Sequence, residues 1–347
     1  MVDFSGDGMV DLADLLEMIE YWDTDHAFYD VGPMPWGDGV VDDADLEVLM
    51  NYYGQEVDYL AAMVFDVTPP HNPEPADSYT TDVEKALPLG WTPGDESTVH
   101  DLYFGTDRAA VEGADIADMS GIYRGPQYGN SYTPPEGAQV GQTYYWRIDE
   151  VKGGTAMRKG EIWSFTVGDY LVVDDFESYT DAEASEIWST WWDGWGIPAN
   201  GSTVGNWNSP FVELTIIHGG TQSMPFSYDN STAPISEAVR EWEVAQDWTR
   251  RGVELLKLWV YGEPGNSVEP FFVTLEDSAG NSATIIYPDP VPTTESWQDW
   301  SVPLADFVGV DLKAIKKMSM GVGNRNTPGG SGRLYIDDIE LHLPPQP

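Results

Sequence analysis

The 347-residue sequence contains no cysteine, so neither a disulfide framework nor a thiolate metal site can form. Positive charge is scarce: 16 Lys and Arg stand against 59 Asp and Glu, a formal net charge of -43, and no Lys or Arg precedes Lys85. A phosphate backbone needs a basic footprint, so nucleic acid is excluded as a partner. So much uncompensated negative charge repels itself unless cations screen or bind it, which makes divalent metal the first partner to expect. No apolar run approaches the ~18–20 residues of a membrane span. Met1 leads straight into an acidic loop without a basic-then-apolar leader. That is expected either of a cytosolic protein or of the mature part of something longer, and the order of segments below favours the second, at the cell surface or outside the cell.

Histidine is also rare. His26, His71, His100, His218 and His342 are scattered over the chain, and no HExxH, GxSxG or Walker loop appears. Carboxylates are too numerous for any acidic pair to single out a glycosidase site. The chain therefore reads as noncatalytic, as the noncatalytic part of a larger polysaccharide-degrading protein would.

What is present is folded protein: 41% of residues are hydrophobic and 13% aromatic, a composition that supports a core. The length suits two or three domains, and three are expected. Residues 1–58 predict two helices entered from acidic, Gly-containing loops. Leu12, Leu15, Leu16, Ile19 and Trp22 fall at helical spacing, as do Leu46, Leu49, Met50 and Tyr53. The stretch "GDGMVDLADLLEM" at 6–18 returns as "GDGVVDDADLEVL" at 37–49, an internal repeat.

Written as a calcium loop, the first copy places Asp3, Ser5, Asp7, the Met9 carbonyl and Asp14 around one point, with Gly8 at the sharp turn. The alternative is a plain acidic helix cap using Asp11 or Asp14. With Asp rather than Glu at the last position and no incoming helix, the unit resembles the dockerin type I repeat, in which each calcium loop is followed by one helix. In the second copy Asp38, the Val40 carbonyl and Asp45 align, Met34 and Trp36 stand where carboxylates belong, and Asp30 is placed to supply the first ligand. The expected cofactor is calcium.

After the Pro-rich stretch at 67–78 the pattern changes to short alternating strands. Residues 65–168 carry "ALPLGWTPG", "VHDLYFGTD", "QTYYWRIDEV" and "GEIWSFTVG". Tyr144 or Tyr145 stands where a tyrosine corner would, and the segment resembles a fibronectin type III domain, a spacer in most settings.

Residues 169–344 predict nine strands, among them "FVELTIIHGG" at 211–220, and hence a two-sheet jelly roll. The order of "VVDDFESY", "GGTQSMPFSYDN", "LWVYG" and "YIDDIEL" resembles the galactose-binding-like carbohydrate-binding domains of secreted multidomain bacterial proteins. That resemblance implies a structural calcium between first and last strands, with Glu177, Asp338 and Asp175 as ligands; edge-strand carboxylates facing solvent are the alternative.

Period-2 reading puts Leu256, Leu258 and Val260 inside and Lys257, Trp259 and Tyr261 on the other face. There the rings would stack on sugars or lie covered by a loop. Phe272, Thr274 and Glu276 form a similar mixed face. "IWSTWWDGWG" sends Trp191 and Trp195 to one side and Trp192 to the other. At least one of these rings belongs to the core, and the others, Trp191 and Trp195 foremost, would wall a sugar site.

The expected fold class is thus mainly β: a small α-helical dockerin-like EF-hand pair, a fibronectin III-like β-sandwich and a C-terminal β jelly roll. The expected function is calcium-dependent, noncatalytic polysaccharide binding. The rival expectation is a structural subunit in which copies of the chain assemble with calcium into an extracellular filament or surface layer.

Overall fold

The computed structural model describes residues 2–5, 9–26, 29–32, 38–55, 68–95, 97–152, 156–290 and 292–344. Strand prevails, as the fold class expected. The chain divides into two compact units: Met1–Pro73, Gly90–Ser131 and Tyr145–Trp163 form one, and Glu74–Leu89, Tyr132–Tyr144 and Ser164–Pro347 form the other. The segment 65–168 contributes strands to both. Among the described residues no helix is long and apolar enough to cross a membrane.

In the first unit α1 (Leu12–Glu20) and α2 (Asp43–Tyr52) open identically. Asp11 and Asp42 cap them by accepting from the N–H groups of Ala13 and Ala44, while Asp14 and Asp45 reach back to the capping N–H groups, the reciprocal arrangement of a capping box. The repeat extends to the tertiary contacts. Buried Val10 bonds to Gly54 and Gln55 after α2, and buried Val41 bonds to Asp23 and Thr24 after α1, all at 2.7–3.0 Å. Each loop is clamped by the residues that follow the other helix.

Their shared core holds Phe4, Met18, Tyr29 and Leu49, with Leu15, Trp22 and Leu46 packed against it. The expected inward face of α1 is corrected in part: Leu12, Leu16 and Ile19 are more than half exposed. The capping box turns Asp14 inward, so the residues stacked below it, Leu15, Met18 and Trp22, follow it inside.

The same unit contains the strand Val99–Gly105, paired with Tyr123–Gln127 and with residues 145–151. Trp91, Trp146 and Trp163 meet edge to face. Buried Arg147 grips Asp149 through two bonds of 2.8 and 3.0 Å and donates to the carbonyls of Val111, Glu112 and Ala114.

In the second unit the hydroxyl of Tyr144 accepts from the Gln139 N–H at 3.0 Å, so Tyr144 rather than Tyr145 makes the expected corner. The jelly roll follows: β1 (Tyr170–Asp174), β2 (Trp191–Trp192), β3 (Ser202–Val204), β4 (Met224–Asp229), β5 (Ser236–Gln246), β6 (Leu255–Gly262), β7 (Pro270–Asp277), β8 (Ser282–Pro290), β9 (Gln298–Pro303), β10 (Ile315–Val322) and β11 (Ser331–His342). One sheet runs β3-β4-β11-β6-β9 with β1 also on β11, and the other runs β2-β5-β10-β7-β8.

Alternation fills the space between them. Phe226, Leu256, Leu258, Val260, Leu334 and Ile336 face Ala238, Phe271, Val273, Leu275, Met318 and Met320 in one core. The expected strand at 211–220 is instead an irregular loop with a single bridge from Glu213 to Ser223, and β2, β3 and β8 are strands that hydrophobic pattern alone did not announce.

Candidate functional site

Because Ala238, Phe271, Val273, Leu275, Met318 and Met320 point into the core, the residues between them face outward. Cross-strand register aligns these outward residues in three rows. The middle one is Val239, Ser319, Thr274 and Thr284; on one side of it runs Glu237, Gly321, Phe272 and Ile286, and on the other Glu241, Lys317, Glu276 and Ser282. In the Glu237 row the Phe272 ring takes the place a side chain on Gly321 would need, since a Cβ there would lie 2.5 Å from its Cζ. The ring is 7% exposed and makes a floor.

In the middle row Thr274 and Thr284 share a hydroxyl bond of 2.8 Å. In the Glu241 row, at the far side from Phe272, the ammonium of Lys317 lies 3.3 Å from Glu276 and 3.9 Å from Glu241. Arg325, 2.8 Å from Glu237, closes one end together with Asn324 and Asn326. The result is an open groove of about 690 Å³ lined by hydroxyls, amides, two carboxylates and two cations over one ring. That donor and acceptor set suits a ligand rich in hydroxyl groups. Phe272, Thr274 and Glu276 were legible from period 2. Glu237, Lys317 and Arg325 were not, because nothing local shows which strands lie side by side.

At the β2 edge the tryptophans separate. Trp191, opposite Arg240, points inward and is fully buried, its indole N–H on Asp174 at 2.8 Å; the expectation that it walls a sugar site is corrected, because a ring fixed to a buried carboxylate belongs to the core. Trp192, opposite Val239, faces outward and is 56% exposed. Trp195 and Trp207, 70% and 72% exposed, meet edge to face with centroids 5.3 Å apart. Asp193 fixes their loops by accepting from the N–H groups of Trp195 at 2.9 Å and Val204 at 2.8 Å. With Trp188, Thr203 and Asn206 these rings line a second hollow of about 450 Å³. Trp207 was missed, although a tryptophan set among Gly, Asn and Ser in "GNWNSP" was a signal of exposure.

Trp259, Tyr261 and Lys257 do not form an open platform. The His218 ring stacks on Trp259 at 3.8 Å, the Lys257 ammonium sits 4.7 Å from the same ring centroid, and Trp297 packs on Tyr261. The loop at 217–219 lies over them because β11 holds it. Buried Asp337 accepts from the N–H groups of His218 and Gly219 at 2.8 and 3.2 Å, and Asp338 pairs with the His218 ring at 2.6 Å. Two consecutive residues reach one loop because β11 bulges there, with Asp338 at φ 44°. Burial first, then the neighbouring Asp338 charge, pushes the Asp337 carboxyl up to about 8.

The carboxylate of Glu177 holds the same loop, accepting from the N–H groups of Thr221 and Gln222 at 2.8 and 3.0 Å, while Asp175 caps its own turn through the Glu177 N–H at 3.2 Å. Glu177, Asp338 and Asp175 are thus spent on loop backbone and a histidine. Among the described residues no three acidic or histidine side chains gather closely enough for a metal ion.

In the first helical loop Asp14 is fully buried and accepts from the N–H groups of Ser5 at 2.8 Å and Asp11 at 2.7 Å. Ser5 Oγ lies 3.4 Å from Asp3, itself 5% exposed. Met9 is half-buried, and Asp7 lies outside the described residues. In the second loop Asp30 takes the N–H groups of Asp38 and Gly39 at 3.0 and 2.7 Å, Asp38 takes that of exposed Val40 at 3.2 Å, and buried Asp45 takes those of Gly32 and Asp42 at 2.6 and 2.7 Å. Met34 and Trp36 lie outside the described residues. Asp14 and Asp45 are therefore buried in a stretch with no Lys or Arg. Burying carboxylates without a full counter-charge is costly, and these oxygen donors fit a hard cation.

No protein-family model matches the sequence, and no curated protein matches it. Among solved structures the chain is similar to an exo-β-agarase at 14% identity, over 50% of this chain and 26% of that one, with a TM-score of 0.38. It is also similar to the family 11 carbohydrate-binding module of the cellulosomal cellulase Lic26A-Cel5E of Clostridium thermocellum, at 18% identity over 51% of this chain and 96% of that one, with a TM-score of 0.32. A third is the family 30 module of the cellulosomal cellulase Cel9D-Cel44B of the same organism, at 14% identity over 39% and 82%, with a TM-score of 0.31. The matched part thus spans about a quarter of the agarase.

Proposed function

We infer that the chain is a noncatalytic binder of polysaccharide and that the groove across β5, β10, β7 and β8 is the principal contact. The observation that carries this reading is the three-row face, in which hydroxyl, amide and charged groups border a ring floor in an open trough. Sugar hydroxyls would exchange bonds with Lys317, Arg325, Asn324 and Thr284, while an apolar sugar face rests on Phe272 and Ile286. The groove's carboxylates are each paired with a cation, Glu276 with Lys317 and Glu237 with Arg325. This favours binding over the facing carboxylate pair that glycoside cleavage uses.

The first unit's helical pair takes calcium as a structural staple, in the manner of dockerin-like repeats, and the strands after it act as a spacer. Asp3, Ser5, Asp7, Met9 and Asp14 would hold the ion in the first loop, and Asp30, Asp38, Val40 and Asp45 in the second. The ion would neutralise the buried carboxylates there.

Affinity electrophoresis through gels containing neutral plant, algal or bacterial polysaccharides tests the binding. At least one glycan retards the protein, and the Lys317→Ala, Arg325→Ala double variant weakens that retention by about 1–2 kcal/mol, roughly 5–30-fold in Kd. Unchanged mobility in every gel overturns the reading.

A further inference from the structure

The groove does not end at β5. Val239 stands at its edge, and the residue opposite Val239 on the neighbouring strand is Trp192. Directly opposed residues of an antiparallel pair share a face, so the row Thr284, Thr274, Ser319, Val239 continues onto an exposed indole. Trp195 and Trp207 line the same hollow as this indole, together with Asp193, Thr203 and Asn206. Three rings that each leave more than half their surface in water are not accounted for by packing in the interior alone. The Asp193 bonds to the main chain on either side of the hollow hold their loops in place.

We propose that Trp192, Trp195 and Trp207 form an aromatic subsite that prolongs the groove, so that the ligand is an uncharged polysaccharide lying across the strands. This rests on the groove reading given above. From β8 to β2 there are four inter-strand gaps, a path of roughly 19 Å, which is long enough for several sugar units. The occupant is a pyranose because perpendicular indoles flanked by carboxylate, hydroxyl and amide groups offer one apolar face for stacking and polar atoms at its rim. It is uncharged because no Lys or Arg lines the hollow and the chain carries -43, which repels acidic glycans.

The test uses the full chain, with tri- and hexasaccharides of cellulose, mixed-linkage β-glucan and agarose as probes, followed by calorimetry and intrinsic tryptophan emission. The expected result is that one hexasaccharide binds roughly tenfold or more tightly than its trisaccharide, with a shift in emission. Trp195→Ala and Trp207→Ala each bring the hexasaccharide down to the trisaccharide's affinity and remove most of the shift. Should both variants bind the hexasaccharide like the parent while Lys317→Ala, Arg325→Ala weakens it, the aromatic subsite is refuted and the groove stands. Should the tryptophan variants lose binding and the groove variant keep all of it, the two hollows are not one path, and the proposal falls together with the groove reading. Failure of every neutral probe to bind refutes both.

Discussion

Asp277 closes β7 by accepting from the main-chain N–H groups of Ala279, Asn281 and Asp311 and from the Asn281 side chain, all at 2.9–3.0 Å. These donors, the Asp311 N–H foremost, hold its carboxyl down to about 2. Its folded value lies below its unfolded one, so the stabilisation is complete above about pH 4 and fades as pH falls toward 2. Asp277→Asn is therefore expected to lower stability at neutral pH, with the gap to the parent closing in denaturant titrations as pH drops from 4 to 2. Asp174 is a second such hub: buried, it accepts from the Tyr179 hydroxyl at 2.6 Å, from the Trp191 indole and from Arg240. Asp174→Ala leaves Arg240 without its counter-charge and should cost about 3–5 kcal/mol, read as a lower midpoint in urea. Neither role was legible in the sequence, where 59 acidic residues look alike and only tertiary neighbours tell a hub from a surface charge.

At the scale of elements, two loop–helix units carry the calcium argument. Chelation should leave buried Asp14 and Asp45, one in each loop, without the ion's positive charge and loosen α1 and α2. Where calcium stands at 100 to 1,000 times its Kd, the loss is about 3–4 kcal/mol, visible as reduced helical dichroism and a lower Tm in EDTA, with elemental analysis of untreated protein showing the ion. Asp14→Ala should lower Tm and shrink, without abolishing, the further drop that EDTA causes, since the second loop keeps its own ion. Equal melting with and without chelator would refute the staple. The duplication was legible because both copies keep Asp and Gly at the same spacing. The orientation of α1 was not, since Leu12, Leu16 and Ile19 fit helical period as well as Leu15, Met18 and Trp22 do, and only the inward capping aspartate decides between them. Among the strands, β6 and β7 were legible from strict alternation, whereas β2 and β3 are too short to show a period and 211–220 has strand composition without strand pairing. Trp259 illustrates the same limit: alternation put it on the right face of β6, but a loop more than forty residues earlier in sequence determines that it is covered.

For the molecule as a whole, charge sets the terms of association. Contacts made by hydrogen bonds and ring stacking depend little on ionic strength, whereas repulsion between like charges is screened over ~10 Å at 0.1 M salt. Retention by a neutral glycan should accordingly stay constant as salt is raised, while sulfated or carboxylated glycans should fail to retain the protein at low salt; paired gels at two ionic strengths check both. A neutral-glycan retention that collapses with salt would show that charge pairing, not the groove, does the binding. The mainly β class and the C-terminal jelly roll were legible because turn residues and alternation recur through that half of the chain. The division into two units was not, since the strands of 65–168 carry the same local signals wherever they pack.

The three rows of the groove run crosswise to the chain, each drawing one residue from β5, β10, β7 and β8. Inward positions maintain the interior and outward positions compose the trough, so two vocabularies are interleaved letter by letter along every strand. Exchanging Thr284 or Ile286 can thus retune what the trough prefers while the interior beneath stays intact. An inserted residue in any one strand would instead shift its letters in all three rows at once.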